Sequence, residues 1–245
     1  MGSPEQARLE RLAELRRRMA AIPARGADAA PRVPTAAGPR RESLSVPSAL
    51  VGLLPEGGVP RGSVIAYAGA SSLLVGLLAA VTGAGGYAAA VGLPRLGLLA
   101  AAEMGARLER LAVVPDPGSD PVEIAAVLLD GLDLVVLGLN GLTVPPSRTR
   151  VLAARARSRG ATLVVTGGTW SGPTLRIATR VDGYEGLGRG RGRLRTVRLE
   201  VSVQSRSTPE RRGTLTLQPH DEGVEWIATH PAAHPAKPRE ISQLA

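Results

Sequence analysis

Short runs of aliphatic residues alternate with longer, mostly apolar segments through the middle of the 245-residue chain. The runs predict strands and the longer segments predict helices, an alternation typical of α/β domains. The predicted strands are Val64–Tyr67, Ala88–Val91, Leu111–Val114, Leu134–Leu139 and Thr162–Thr166. The predicted helices are Ser72–Val81, Gly97–Leu108, Val122–Asp130 and Arg148–Arg159, the last of which ends at Gly160. We therefore expect a mostly parallel sheet flanked by helices.

The pattern changes after Trp170, where strand-like segments follow one another with only turns between them. These segments are Leu175–Val181, Leu194–Val203, Thr214–Gln218 and Val224–Thr229. We interpret all four as an antiparallel extension of the same sheet. From about Pro231 the Pro, Ala and His content predicts a disordered tail.

The first residues, Pro4–Ile22, predict an amphipathic helix that Ser3 caps. One face of this helix is apolar and needs a cover, either its own domain or a partner chain. That face, our candidate partner-binding surface, consists of Leu9, Leu12, Leu15, Met19 and Ile22. The expected division of the chain is a helix over residues 1–22, a flexible Pro/Ala linker over 23–49, a core over 50–203, and C-terminal strands with the tail over 204–245.

The absence of cysteine excludes disulfides, thiolate catalysis and Cys-ligated metals, and the three histidines follow no ligand spacing. We predict no metal and no cofactor. The uncharged stretch Ser63–Val81 is long enough to cross a bilayer, but its glycines and serines favour a buried strand, loop and helix. With no hydrophobic signal segment at the N-terminus, the sequence predicts a cytoplasmic protein with no membrane contact.

The net charge of +9 lies mainly in two basic flanks, residues 1–41 and 176–212. Such flanks favour contact with a polyanion, although arginines that are merely solvated would give the same pattern. Within Gly186–Arg193 and just after it, arginines occupy alternate positions and would share one face of an extended chain. These residues, Arg189, Arg191, Arg193 and Arg195, are a candidate patch for sequence-independent DNA binding. A glycine-rich hairpin with solvated arginines is the alternative.

The segment Gly57–Tyr67, followed by Ala68–Val81, resembles the start of the RecA-like ATPase core. In that family a Gly-Gly-x-Pro-x-Gly turn leads into a strand, a Ser-Ser-Gly-Lys-Thr phosphate loop and a helix. The resemblance covers about residues 50–203 and implies a RecA-like fold. The aligned positions are Ser71 and Ser72 for the serine pair, Leu73 for the loop glycine, Leu74 for the phosphate-binding lysine, Val75 for the magnesium-binding threonine, Leu93 for the catalytic glutamate and Gly138 for the Walker B aspartate.

In the RecA-like family the lysine places a positive charge on the phosphates and the threonine hydroxyl binds Mg²⁺. Leu74 and Val75 can do neither, and we expect their side chains to fill the phosphate cradle. The resemblance therefore implies a pseudo-ATPase with no catalytic residues. A hydrolase with an altered loop and an α/β domain unrelated to this family are the alternatives.

Among RecA-like proteins, three features together resemble the ImuA-prime family: the degenerate ATP site, the N-terminal helix on its linker, and the Gly186–Arg193 motif. That resemblance implies a nucleoid-associated adaptor in damage-induced mutagenesis and translesion synthesis. It would bind ImuB, an inactive Y-family polymerase-like protein, and through it an error-prone C-family polymerase and the sliding clamp, with DNA as a possible further partner. A sequence-independent DNA-binding module and a SulA-like cell-division inhibitor, which has the same core, remain the alternatives.

Overall fold

The computed structural model of the protein describes residues 43–186, 194–220 and 223–229. The predicted N-terminal helix lies outside the described residues, and so does the tail from Pro231 onward. The same holds for the individual candidate residues Leu9, Leu12, Leu15, Met19, Ile22, Arg189, Arg191 and Arg193.

The described chain alternates strands and helices as far as residue 166 and continues in strands alone. The strands are β1 (Ser43–Leu44), β2 (Val59–Pro60), β3 (Val64–Ala68), β4 (Ala88–Val91), β5 (Leu111–Val114), β6 (Leu134–Gly138), β7 (Thr162–Thr166), β8 (Leu175–Glu185), β9 (Thr196–Ser205), β10 (Arg211–His220) and β11 (Gly223–Thr229). The α-helices are α1 (Ser71–Gly83), α2 (Leu98–Glu103), α3 (Pro121–Leu128) and α4 (Pro146–Arg159). Short 3₁₀ helices occupy Ser48–Leu53, Pro55–Gly57 and Leu108–Arg110.

Nine of these strands form one sheet in the spatial order β11-β10-β9-β8-β3-β7-β6-β4-β5. The strands from β8 to β5 in that order run parallel to one another, whereas β8 to β11 pair antiparallel. Every residue of β4 and β6 is buried, which explains why these strands read as unbroken apolar runs. The predicted fold class, a mostly parallel α/β sheet with antiparallel C-terminal strands, is confirmed.

One strand differs from the prediction, because β8 does not belong wholly to the antiparallel extension. It pairs parallel with β3, with Ala178 opposite Ala68, and antiparallel with β9 on its other side. The loop over residues 167–174 returns the chain to the amino-terminal end of the sheet, so β8 starts there as a parallel strand must. This register brings the middle of β8 to the carboxyl end of β3.

Helices α2 and α4 each end at a glycine with a positive φ. The helix expected over Gly97–Leu108 is only Leu98–Glu103, because Gly105 takes a φ of 86° and the Ala106 N–H returns to the Ala101 carbonyl at 2.9 Å. This is the Schellman arrangement, which terminates a helix. Gly160 ends α4 in the same way with a φ of 65°, as its position predicted.

The boundaries of the core differ from those expected. Residues 43–49 fall in the predicted linker, yet β1 pairs with β2, and Leu44 and Ala49 are buried. The expected boundary at residue 203 falls inside β9. The Pro- and Ser-rich composition masked the few apolar residues that attach this segment to the core. The domain therefore begins before residue 50 and continues through β11.

Two hydrophobic layers cover the parallel part of the sheet. One contains α1 and the Ser48–Leu53 helix, and the other contains α3 and α4. In the antiparallel extension only the first layer continues, so β8 and β9 bury one face and leave polar side chains on the other.

The uncharged stretch Ser63–Val81 forms β3 and most of α1 within this core. Among the described helices, none is both long and apolar enough to span a membrane.

Candidate functional site

The loop between β3 and α1 consists of Gly69 and Ala70, at the carboxyl end of β3. In a phosphate-binding loop, backbone N–H groups at this place point toward the ligand. Gly69 has a φ of 107°, and a Cβ added to it would lie 1.8 Å from the Thr179 carbonyl oxygen. The backbone of β8 therefore lies directly against the loop, and only glycine fits at this position.

Thr179 of β8 closes the loop with its side chain. Its Oγ1 accepts the Ala70 N–H at 2.7 Å and lies 3.0 Å from the Tyr67 hydroxyl. The Tyr67 hydroxyl also donates to the Ala70 carbonyl, and Thr179 Oγ1 lies 3.3 Å from the Ala68 carbonyl oxygen. The Ala70 amide is thus bound within the protein, so it is not free to bind a phosphate oxygen.

Tyr67 serves this network as a neutral hydrogen-bonding group. Burial raises the pKa of its phenol well above the ordinary value, and the hydrogen bond with Thr179 offsets only part of that effect. The side chain is 3% exposed. At physiological pH the phenol keeps its proton, so it can act as a donor to the Ala70 carbonyl but not as a base.

The aligned phosphate-loop residues form the first turn of α1. Ser71 is exposed and Ser72 is half-buried, whereas Leu73, Leu74 and Val75 are buried. We expected Leu74 and Val75 to fill the phosphate cradle, but Leu73 and Leu74 pack in the hydrophobic core and it is Thr179 that closes the loop. The reason is that α1 is apolar on nearly all sides and therefore lies inside the core.

The two remaining aligned positions, Leu93 and Gly138, lie together at the carboxyl ends of the neighbouring strands β4 and β6. A Cβ added to Gly138 would lie 2.5 Å from the Gly92 carbonyl oxygen and 2.8 Å from Leu93 Cδ2. Gly92 itself has a φ of 69°, and its carbonyl accepts a hydrogen bond from Asn140 Nδ2 at 3.3 Å. The two aligned residues thus lie side by side, and the neighbouring backbone leaves no room for a carboxylate at Gly138.

The donor groups of this site do not fit a magnesium–nucleotide complex. Within residues 43–186, 194–220 and 223–229, no group of three or more His, Asp or Glu side chains could hold a metal ion. Asp133 lies at the other end of β6, where it pairs with Arg61 and accepts the Tyr87 N–H at 2.9 Å. That aspartate ties the start of β6 to Arg61 before β3 and to Tyr87 before β4, so its role is a link between distant segments.

The predicted Gly/Arg patch is described only at Arg195, whose N–H donates to the Glu185 carbonyl at 2.9 Å across the β8–β9 hairpin.

Thr179, by contrast, was missed by the sequence analysis. Its role depends on the register of β8 against β3, more than a hundred residues away along the chain. No local sequence pattern carries that information.

With this geometry described, comparison with known proteins gives the family. A family model described as the MT3502 N-terminal domain matches residues 52–172. The uncharacterized protein Rv3395c of Mycobacterium tuberculosis (strain ATCC 25618 / H37Rv) is 48% identical over 204 residues, which cover 80% of this chain and 93% of that protein. The chain belongs to the Rv3395c family. The part matched by the domain model contains the closed loop, Leu93 and Gly138, and ends before Thr179.

A solved structure is also similar to this member of the Rv3395c family. It is the KaiC-like protein PH0186 from the hyperthermophilic archaeon Pyrococcus horikoshii OT3. The TM-score is 0.48 at 15% sequence identity, over 76% of this chain and 99% of that one.

The closed loop gives a first prediction about stability. Thr179→Val keeps the shape of the side chain but removes Oγ1, leaving the Ala70 N–H without its partner inside the protein. We expect the free energy of unfolding to fall by about 2–3 kcal/mol, which lowers Tm by roughly 5–10 °C in a domain of this size. Thermal unfolding followed by circular dichroism measures the change.

Thr229→Val is the matched control for that variant. Thr229 is exposed, and its hydroxyl bonds only the Thr216 hydroxyl at 2.8 Å among the described residues. We expect a change within about 0.5 kcal/mol. Equal losses in the two variants would contradict a special role for Thr179 in closing the loop.

Proposed function

We propose that this protein is a non-catalytic, RecA-like adaptor in DNA-damage-induced mutagenesis. It binds an ImuB-like, polymerase-related protein and thereby supports an error-prone replicative-type polymerase. In this role the α/β domain is a scaffold for protein contacts, and no nucleotide is hydrolysed.

The observation that carries the proposal is the hydrogen bond from the Ala70 N–H to Thr179 Oγ1. It occupies the backbone group that a phosphate would need, in a loop where Leu74 stands in place of the lysine. The close contact between Gly138 and Gly92 supports the same view, because a Walker B carboxylate has no space at Gly138. A domain whose loop amide is already bound within the protein is suited to binding a partner rather than to catalysis.

The pseudo-ATPase part of the proposal has a direct test in ligand-induced stabilisation. A ligand present at a hundred times its Kd stabilises the native state by about 2.7 kcal/mol, a rise in Tm of roughly 5–10 °C here. We expect about 1 mM ATP with magnesium to leave Tm unchanged and phosphate release to stay at the buffer rate. A magnesium-dependent rise in Tm together with phosphate release would overturn this part.

The adaptor part is tested by co-purification with the ImuB-like protein from the same organism. Size-exclusion chromatography at about 0.15 M salt should show one co-eluting complex, equally stable with and without ATP. Separate elution of the two folded proteins would contradict the adaptor role. Elution as a complex only with ATP would contradict the pseudo-ATPase role.

The contribution of the N-terminal segment is tested in the same assay. Leu12→Asp with Leu15→Asp places two charges on the predicted apolar face and should abolish co-elution. Ala7→Asp with Ala21→Asp adds the same charge at two positions that have no residue of the apolar face three or four places away, and should leave co-elution intact. If both pairs behave alike, the apolar face of that segment is not the binding surface.

A further inference from the structure

A cationic groove runs between helix α4 and the start of β8, on the side of the sheet that carries α4. It begins as a cavity of about 460 Å³ beside Arg150 and Arg157. It continues into an adjoining one of about 370 Å³ beside Arg176, and Arg206 lines both. We infer that this groove binds the phosphodiester backbone of a nucleic acid, independently of base sequence.

The helix side of the groove carries charge that the protein does not neutralise. Helix α4 has a paired face, on which arginines meet carboxylates: Arg148 with Asp120, and Arg155 and Arg159 with Asp130. The hydrogen bond from Arg155, aided by Arg159, lowers the pKa of Asp130 to about 2, so Asp130 stays ionised at ordinary pH and offsets part of the positive charge on this face.

The groove face of the same helix is different. Arg150 and Arg157 lie two turns apart, a rise of about 10 Å, and are exposed. Neither of them has a carboxylate partner among the described residues. Gly62 allows this approach of helix and sheet, since a Cβ there would lie 2.9 Å from Arg157 Cα. The fold thus presents two unpaired guanidinium groups at the edge of a cavity.

The β8 side of the groove shows the same difference between paired and unpaired arginines. On β8, Arg180 faces Glu200 of β9 in register and pairs with it at 2.7 Å. Arg176, on the same face, lies opposite Gln204 and has no carboxylate partner in the described part of the chain. Arg206 donates to the Gly172 carbonyl at 2.6 Å and so lies between the two cavities. Positive charge therefore continues along the whole groove.

The lining favours a phosphate backbone over other anions. No aromatic residue is among the lining residues of the two cavities, so bases have no stacking surface and recognition falls on the backbone. The hydroxyls of Ser171 and Thr174, and the exposed backbone of Gly172, add donors beside the guanidiniums. Protein partners instead anchor on exposed apolar side chains, and none of the large exposed ones lines this groove.

The groove is separate from the closed loop. It lies beside Gly62 and Val64, at the amino-terminal end of β3, whereas the loop follows the carboxyl end of that strand. The inference also stands apart from the adaptor role, because co-elution with the ImuB-like protein and binding to an oligonucleotide are measured independently.

The test compares three full-length proteins by fluorescence anisotropy with labelled single-stranded and duplex oligonucleotides over a range of NaCl concentrations. The groove variant carries Arg150→Gln, Arg157→Gln and Arg176→Gln. We expect its affinity to fall about tenfold or more at 0.1 M salt, uniformly across sequences. The slope of log K against log salt should decrease in magnitude by about two to three, since each lost phosphate contact removes about 0.9 with duplex DNA.

The matched control carries Arg148→Gln, Arg155→Gln and Arg212→Gln, three arginines that are each paired with a carboxylate. It changes the net charge by the same amount and should keep nearly the wild-type affinity and slope. Equal losses in both variants would show a general charge effect and overturn the groove as the site. Wild-type behaviour of the groove variant would overturn it as well.

Two further arms identify the ligand class and guard against misfolding. The single variant Arg150→Glu, at an exposed position, should show the same direction of change if the triple variant folds poorly. A polyglutamate peptide of equal charge should compete much more weakly than unlabelled oligonucleotide. Competition of equal strength would overturn the nucleic acid in favour of an acidic protein segment, and inorganic triphosphate competing at equal charge would point to a free phosphate ligand instead.

Discussion

Replacing Gly138 with aspartate should lower the free energy of unfolding by about 4 kcal/mol or more, or prevent folding. The variant restores the Walker B carboxylate of the RecA-like family, but its Cβ would lie 2.5 Å from the Gly92 carbonyl oxygen. Strands β4 and β6 would have to separate, and a buried carboxylate would face a carbonyl oxygen. Urea unfolding followed by circular dichroism measures the loss.

Gly131→Asp is the control for Gly138→Asp. Gly131 lies in a turn before β6, and a Cβ there meets nothing within 4 Å. The same substitution should therefore change stability by less than about 1 kcal/mol. A folded Gly138→Asp protein with wild-type stability would mean that the two backbones are not held together, and the argument against a carboxylate at this place would fail.

Gly69→Ala is the second substitution with a large expected effect, again about 4 kcal/mol or more. Two costs add at this position. A φ of 107° is strained for alanine, and the new Cβ would lie 1.8 Å from the Thr179 carbonyl oxygen, so β8 must move away from the loop. Such a movement would also break the Ala70–Thr179 hydrogen bond.

Gly85→Ala separates those two costs. Gly85 has a similar φ of 90°, but a Cβ there meets nothing within 4 Å. It should therefore show the backbone strain alone, about 1–2 kcal/mol. The difference between the two variants, measured in the same urea titration, reports the contact between the loop and β8. If Gly69→Ala is no worse than Gly85→Ala, the loop is not closed by that strand.

Much of the parallel core could be predicted because its signals are local. The runs Ala88–Val91, Leu111–Val114 and Thr162–Thr166 form strands with the predicted bounds, since parallel strands are continuous apolar segments, and this holds even for β5, which is only partly buried at the sheet edge. Asp120 caps α3 by accepting the Glu123 N–H at 3.1 Å, as Asp before Pro predicts.

The remaining features depend on contacts between distant segments. The parallel pairing of β8 with β3, and with it the role of Thr179, follows from a register that no short window encodes. The groove could not be found from sequence either, because Arg150 and Arg155 look alike until the structure shows that only the second has a carboxylate partner. With so many arginines in the chain, charge alone did not indicate which of them are free for a ligand.

The position of β3 between β7 and β8 has a consequence for synthesis of the chain. Both neighbours follow it by about a hundred residues, a delay of roughly 5–20 s at usual rates of translation. During that time the apolar side chains of β3 have no sheet partner, although β4, β5 and β6 have already been made. Nascent chains that stall before Thr162 would carry an unpaired Val64–Ala68 segment, which other polypeptides or chaperones can bind.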